Sequence, residues 1–212
     1  MFNKVSDNPL CFRLENKGAR KLYISSGIHG NETSGPYTLL NLLKEPDFFN
    51  GLDVIIIPIL NKYGHLHDER YNENNKDLNR DFKHQVEKET KQHVALLTYD
   101  YDLALCLHEG ENANGCYIYK PNENKRLDVM QKILLAMSTE MSVDNKHKKM
   151  KSLIEPGIIG DVKYKEEHET EAVFLAKHGV DAFTIEIPHE FPIKQKEATL
   201  RAAIKQAVEI LS

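Results

Sequence analysis

No apolar run in this chain of 212 residues approaches the length of a membrane span. The opening stretch, Met1-Phe-Asn-Lys-Val-Ser-Asp-Asn, has no basic segment followed by an apolar one, so a cytoplasmic protein without membrane contact is expected. Cysteine is scarce. Cys11, Cys106 and Cys116 make an odd set of three, with no spacing that would frame disulfides or close a structural zinc site. Reduced thiols follow, Cys106 as core and Cys116 as a buried thiol or, less simply, part of a site lining. Positive charge is not in excess: the formal net charge is −4, and such a surface as a whole attracts neither nucleic acid nor an anionic membrane. Low-complexity tracts and internal repeats are also missing. A hydrophobic fraction of 41% and a charged fraction of 28% are those of an ordinary globular chain, which at this length is expected to be one domain over 1–212.

What is present centres on Leu22-Tyr-Ile-Ser-Ser-Gly-Ile-His-Gly-Asn-Glu-Thr-Ser-Gly35. A β-branched and aromatic run reads as a buried strand, breaks at Gly27 and Gly30, and passes into a helix from about Thr33. His29 and Glu32 lie in the break, where an imidazole and a carboxylate three residues apart can turn toward one divalent ion. Zinc needs a third ligand. His108 is the candidate, at the end of the apolar run Tyr101–Leu107 and so at the strand edge where α/β sites gather. Three protein ligands with a fourth position left to water is the catalytic pattern for zinc.

In chain order, Pro9–Leu14 alternates like a strand and Asn16–Ala19 supplies a turn, which predicts a β-hairpin into the metal-bearing strand. Pro36–Leu43 has helical periodicity, and Leu52–Leu60 is apolar enough to be a central parallel strand. Residues 61–82 lack apolar periodicity and read as a long polar loop. Helices are expected over 85–97, 125–141, 166–177 and 194–211, and strands over 101–107, 117–119 and 182–187. Met130, Met137 and Met141 suit core packing. The basic run 146–151 and the Gly- and Pro-containing segment 154–164 read as surface loops, the second a mobile one, and Glu109, Glu111, Asn112 and Asn114 as a polar loop. Alternation of strands and helices argues for a three-layer α/β fold, a mostly parallel mixed sheet with helices on both faces.

Four separated motifs together resemble the zinc carboxypeptidase family, which includes pancreatic carboxypeptidase A and, among wider relatives, the aspartoacylases and succinylglutamate desuccinylases. His29-Gly-Asn-Glu32 is similar to the family's zinc pair and Leu107-His108-Glu109 to its third ligand. Asp77-Leu-Asn-Arg-Asp-Phe82 resembles the box that grips a substrate carboxylate, through Asn79 and Arg80, and Phe183-Thr-Ile-Glu-Ile-Pro188 the strand presenting the catalytic glutamate, Glu186. Arg70 is similar to the arginine that polarises the scissile carbonyl, and Tyr164 stands where the family's mobile tyrosine would. The usual Asn-Pro-Asp-Gly turn is replaced by Asn61-Lys-Tyr-Gly64.

The resemblance implies one zinc ion per chain on His29, Glu32 and His108, with Glu186 as general base toward the bound water. Arg70 would stabilise the oxyanion, and Arg80 with Asn79 would hold the substrate's carboxylate. The expected activity is that of a metallocarboxypeptidase on small peptides, peptidoglycan-derived ones included. N-acyl amino acid deacylation is the alternative, and a non-catalytic zinc-binding relative a third.

Overall fold

The computed structural model describes residues 1–111, 113–145, 153–160 and 168–212. In chain order its strands and helices are β1 (Asn3–Asp7), β2 (Leu10–Leu14), β3 (Lys21–Ser25), α1 (Ser34–Leu42), β4 (Asp53–Ile59), α2 (Lys62–His67), α3 (Lys88–Val94), β5 (Leu103–Gly110), β6 (Tyr117–Tyr119), α4 (Leu127–Met137), β7 (Leu153–Glu155), β8 (Ile158–Ile159), α5 (Glu171–Lys177), β9 (Ala182–Pro188) and α6 (Ile193–Leu211). The strands form one sheet in the order β1-β2-β4-β3-β5-β9-β6-β8-β7.

β4, β3, β5 and β9 run parallel at its centre, with antiparallel pairing beginning at β2 on one side and β6 on the other. Burial on both faces explains their composition, since all eight residues of β5 are buried. Along β5 the side chains alternate. Leu103, Leu105 and Leu107 enter the larger core with Leu39, Leu42, Met130, Leu200 and Ile204 from α1, α4 and α6, while Ala104 and Cys106 face a second core with Phe82, Phe174 and Leu175. Helices therefore cover both faces, as the alternating pattern predicts. α6 is buried along one stripe, Lys196, Thr199, Leu200, Ala203, Ile204, Ala207 and Leu211, at the spacing of an amphipathic helix.

Several expectations need correction. The opening hairpin is β1 with β2, and β2 pairs next with β4, so β3, which leads to His29 and Glu32, is not its partner. Short-range turn chemistry at Asn16–Ala19 does not reveal that β4, arriving later, inserts between them. β4 is parallel to β3 but antiparallel to β2. Residues 153–160 form the strand pair β7–β8, with β8 added to β6, where a mobile loop was expected. The basic run 146–151 and the rest of that segment, 161–164, lie outside the described residues. The polar stretch 61–82 contains α2 and a 3-10 turn at Leu78–Arg80. It is held by side-chain bonds that an apolar period cannot reveal: Asn72 Oδ1 accepts from Asn74 N and Lys76 N, and Asp81 accepts from Val86 N and Glu87 N.

Candidate active site

The C-terminal ends of the parallel strands lie along one edge, and the loop after β3, the end of β5 and the end of β9 meet there. β5 extends to Gly110, so His108 lies within the strand and not just past it. On the site face, His108, Glu186 and Tyr117 are registered side by side across β5, β9 and β6. Cys106, Thr184 and Tyr119 form the next rung along the same strands.

His29 Nδ1 lies 2.6 Å from Glu32 Oε1, and His108 Nδ1 lies 3.0 Å from Glu32 Oε2. One ligand atom from each residue falls within 4.8 Å of the other two, and all three residues are buried. Among the described residues this is the only such cluster. Its donors, two imidazoles and one carboxylate, are of the kind that hold a zinc-type ion. The surrounding contacts fit that use. His29 Nε2 stands 3.1 Å from Asp77 Oδ1, an arrangement that fixes the ring and turns Nδ1 toward Glu32. Glu32 Oε2 also accepts from the backbone N–H of Glu109 at 3.1 Å.

Charge is tightly balanced here. Burial disfavours a charged Glu32, but the neighbouring imidazoles of His29 and His108 outweigh it and hold the carboxyl well below the usual range. Asp77 is likewise held low: burial opposes its charge, and His29, Arg70 and Arg80 overcome that. Burial works against an imidazolium at His29, yet Glu32 and Asp77 raise its pKa. Arg70 bonds Asp77 Oδ2 at 3.0 Å and approaches Glu32 Oε1 at 3.6 Å.

These groups line a cleft of about 480 Å³. His29, Glu32, Arg70, Asn79, Arg80, His108 and Glu186 all reach it; Tyr164 lies outside the described residues. The rest of the wall is polar or aromatic, Tyr71, Tyr117, Tyr119, Thr170, Thr184 and acidic groups, with no aliphatic side chain among the described residues. Asn79 is oriented by two contacts. Its Oδ1 accepts from Glu171 N at 3.0 Å, and its Nδ2 stands 3.5 Å from His108 Nε2.

Two close approaches set the local backbone. A Cβ on Gly30 would fall 2.0 Å from the carbonyl carbon of Gly64, so the loop bearing His29 and α2 pack backbone to backbone. Asn61 caps α2 by accepting from Gly64 N at 2.9 Å, so Asn61-Lys-Tyr-Gly64 still makes a tight turn without the usual proline and aspartate. A Cβ on Gly110 would come within 2.4 Å of the Tyr117 hydroxyl and 3.3 Å of Glu186 Oε2, which places phenol and carboxylate around one point.

The sequence of the described residues 18–111 already holds the metal motif and the Asp-Leu-Asn-Arg box, and the match to known families extends further. The sequence model of the succinylglutamate desuccinylase/aspartoacylase catalytic domain matches residues 18–211. The chain belongs to that family. No curated protein sequence matches it. Among solved structures, a protein assigned to the metallopeptidases from Shewanella denitrificans OS217 superposes with a TM-score of 0.83 at 21% identity, over 100% of this chain and 84% of that one. Another so assigned, from Shewanella baltica OS155, gives a TM-score of 0.84 at 18% identity, over 100% and 87%. A metallo-carboxypeptidase from Pseudomonas aeruginosa, solved with (2-guanidinoethylmercapto)succinic acid, gives 0.67 at 14% identity, over 95% of this chain and 60% of that one. At such identities the likeness is one of fold.

Several residues around this family member's site carry no role in the motif reading. Glu109, expected in a polar loop, is a buried strand residue, whereas Glu111 and Asn114 are exposed and Asn112 lies outside the described residues. Behind the cleft, Glu171 accepts from Tyr23 at 2.6 Å and Ser25 at 2.8 Å and pairs with His93 at 3.0 Å, all four being buried. Strand alternation through 103–110 would have assigned Glu109 to the face opposite His108. For Glu171 and His93 the local sequence carries no such signal, because their pairing joins distant segments.

Proposed function

We propose that this chain is a metal-dependent hydrolase that cleaves an amide bond beside a free carboxylate, the carboxypeptidase reaction on small peptides. The observation that carries the reading is the convergence of His29, Glu32 and His108 with Glu186 beside them on the same sheet face. A zinc ion on the three ligands would lower the pKa of a water toward neutrality and polarise the substrate carbonyl. Glu186 takes a proton from the attacking water and returns it to the departing nitrogen as the carbon–nitrogen bond breaks. Arg70, held in place by Asp77, donates to the oxygen on which negative charge develops. Arg80 pairs with the substrate's carboxylate, and Asn79, fixed by Glu171 N, lies next to it on the cleft wall.

The lining favours small polar substrates. A wall of tyrosines, hydroxyls, amides and charges carries no aliphatic side chain among the described residues and suits a polar side chain better than a large aliphatic one. That same feature, with the family match, supports a second reading, removal of an acyl group from an N-acyl amino acid. The succinic acid derivative bound by the Pseudomonas aeruginosa metallo-carboxypeptidase is a small dicarboxylate of the size this cleft would hold.

Hydrolysis of dipeptides with free and amidated C-termini, alongside N-acetyl and N-succinyl amino acids, tests these readings on zinc-loaded protein. Turnover confined to free carboxylates supports the assignment of Arg80; indifference to amidation contradicts it. Preference for acyl amino acids over peptides selects the second reading, and no turnover of either class contradicts both.

A further inference from the structure

β5 sends His108 and Glu109 to opposite faces of the sheet, so one peptide unit serves two purposes. On the site face it carries a candidate metal ligand, and its N–H, that of Glu109, bonds Glu32 Oε2 at 3.1 Å. On the other face the Glu109 carboxylate is buried with only 1% of its side chain exposed. Its Oε1 accepts from Ser34 N at 2.7 Å, at the start of α1 and two residues beyond Glu32. Thr33, the residue at the N-cap, supplies no side-chain cap of its own, so Glu109 performs that task from another strand. Its Oε2 receives Lys196 Nζ at 2.7 Å and stands 3.0 Å from His189 Nδ1. Lys196, 7% exposed at its side chain, also donates to the carbonyl of His189 at 2.9 Å.

We propose that Lys196 is a positioning residue for the metal ligand Glu32, acting through Glu109; the inference rests on the metal reading above. Glu109 holds Glu32 at both ends, by backbone at the carboxylate and by side chain at the following helix. A carboxylate so buried is held in place by the cation beside it. His189 is 42% exposed, which leaves Lys196 as the enclosed partner. The closing helix α6 is thereby tied to the metal centre. When either partner is lost, the remaining buried charge is left uncompensated and turns toward water, drawing the peptide that carries His108 and steadies Glu32 out of line. Zinc affinity falls accordingly.

The test measures zinc dissociation constants of metal-stripped protein by competition with a chromophoric chelator, next to the thermal midpoint of the same metal-free samples. Lys196→Met and Glu109→Gln are each expected to weaken zinc binding by roughly 10-fold or more. The double variant, with no buried charge left uncompensated, is expected to return to within about 3-fold of wild type. A general packing defect would lower the midpoint without this recovery of affinity. Wild-type affinity in either folded single variant overturns the inference, as does a double variant no tighter than the singles. If one single variant does not fold, the other and the double carry the same comparison. A wild-type protein that binds no zinc overturns the metal reading itself, and is thus told apart from failure of the Lys196 link alone.

Discussion

His108 and Glu186 are direct neighbours across the parallel pair β5–β9, and both reach the same cleft. A sheet thus fixes the spacing between a metal-ligand candidate and a carboxylate that is not part of the ligand cluster. From that separation of roles, Glu186→Gln is expected to retain zinc at wild-type stoichiometry while kcat falls by about 10²- to 10⁴-fold. Parallel metal analysis and steady-state kinetics check it. Unchanged turnover would remove Glu186 from the mechanism.

Asp77 faces His29 Nε2 on one oxygen and Arg70 on the other. Asp77→Asn keeps the shape and removes the charge that orients both, and a loss of about 10- to 100-fold in zinc affinity is expected. Chelator competition measures it, and an affinity equal to wild type would show that the His29 ring is held by packing alone.

Glu171 titrates below the ordinary carboxylate value of 4.5: burial opposes its charge, but His93, Tyr23 and Ser25 together prevail. A folded pKa lower than the unfolded one means stability is fully present above about the unfolded value and is lost as pH falls through it toward the folded one. Urea unfolding of the metal-free protein at a series of pH values below 6 should show this decline, and Glu171→Gln should reduce it, leaving the share that Glu32 and Asp77 contribute. At neutral pH the same substitution disrupts the bonds that the carboxylate accepts from Tyr23 and Ser25 and should cost about 1 to 3 kcal/mol. An unaltered pH slope in the variant would contradict the assignment.

Gly30 and Gly64 meet backbone to backbone, with no space for a methyl group. Gly30→Ala should therefore destabilise the fold by about 1 to 3 kcal/mol and weaken zinc binding, because the loop that bears His29 must move. Denaturant midpoints with and without zinc read both effects, and an unperturbed midpoint would be inconsistent with this contact.

The sequence made the candidate metal site legible because His29, Glu32 and His108 sit in short motifs at strand ends, where residue type, spacing and position act together. His29, Glu32, Arg70, Asn79, Arg80, His108 and Glu186 come from five stretches of chain, yet they line one cleft. The helices closing the sheet were legible for a similar reason, since α6 repeats its buried residues at helical spacing. What escaped depends on pairing between distant segments. Nothing local to Pro9–Leu14 shows that β4 will lie between β2 and β3. Glu109 and Lys196 are 87 residues apart, and each alone resembles an ordinary surface charge.

Zinc titration of the metal-stripped protein, followed by calorimetry, tests the central claim most directly. One equivalent should bind to the wild-type chain, and His29→Ala and His108→Ala should each lose that site while remaining folded. Absence of binding in the wild type, or full binding in both alanine variants, would contradict the account.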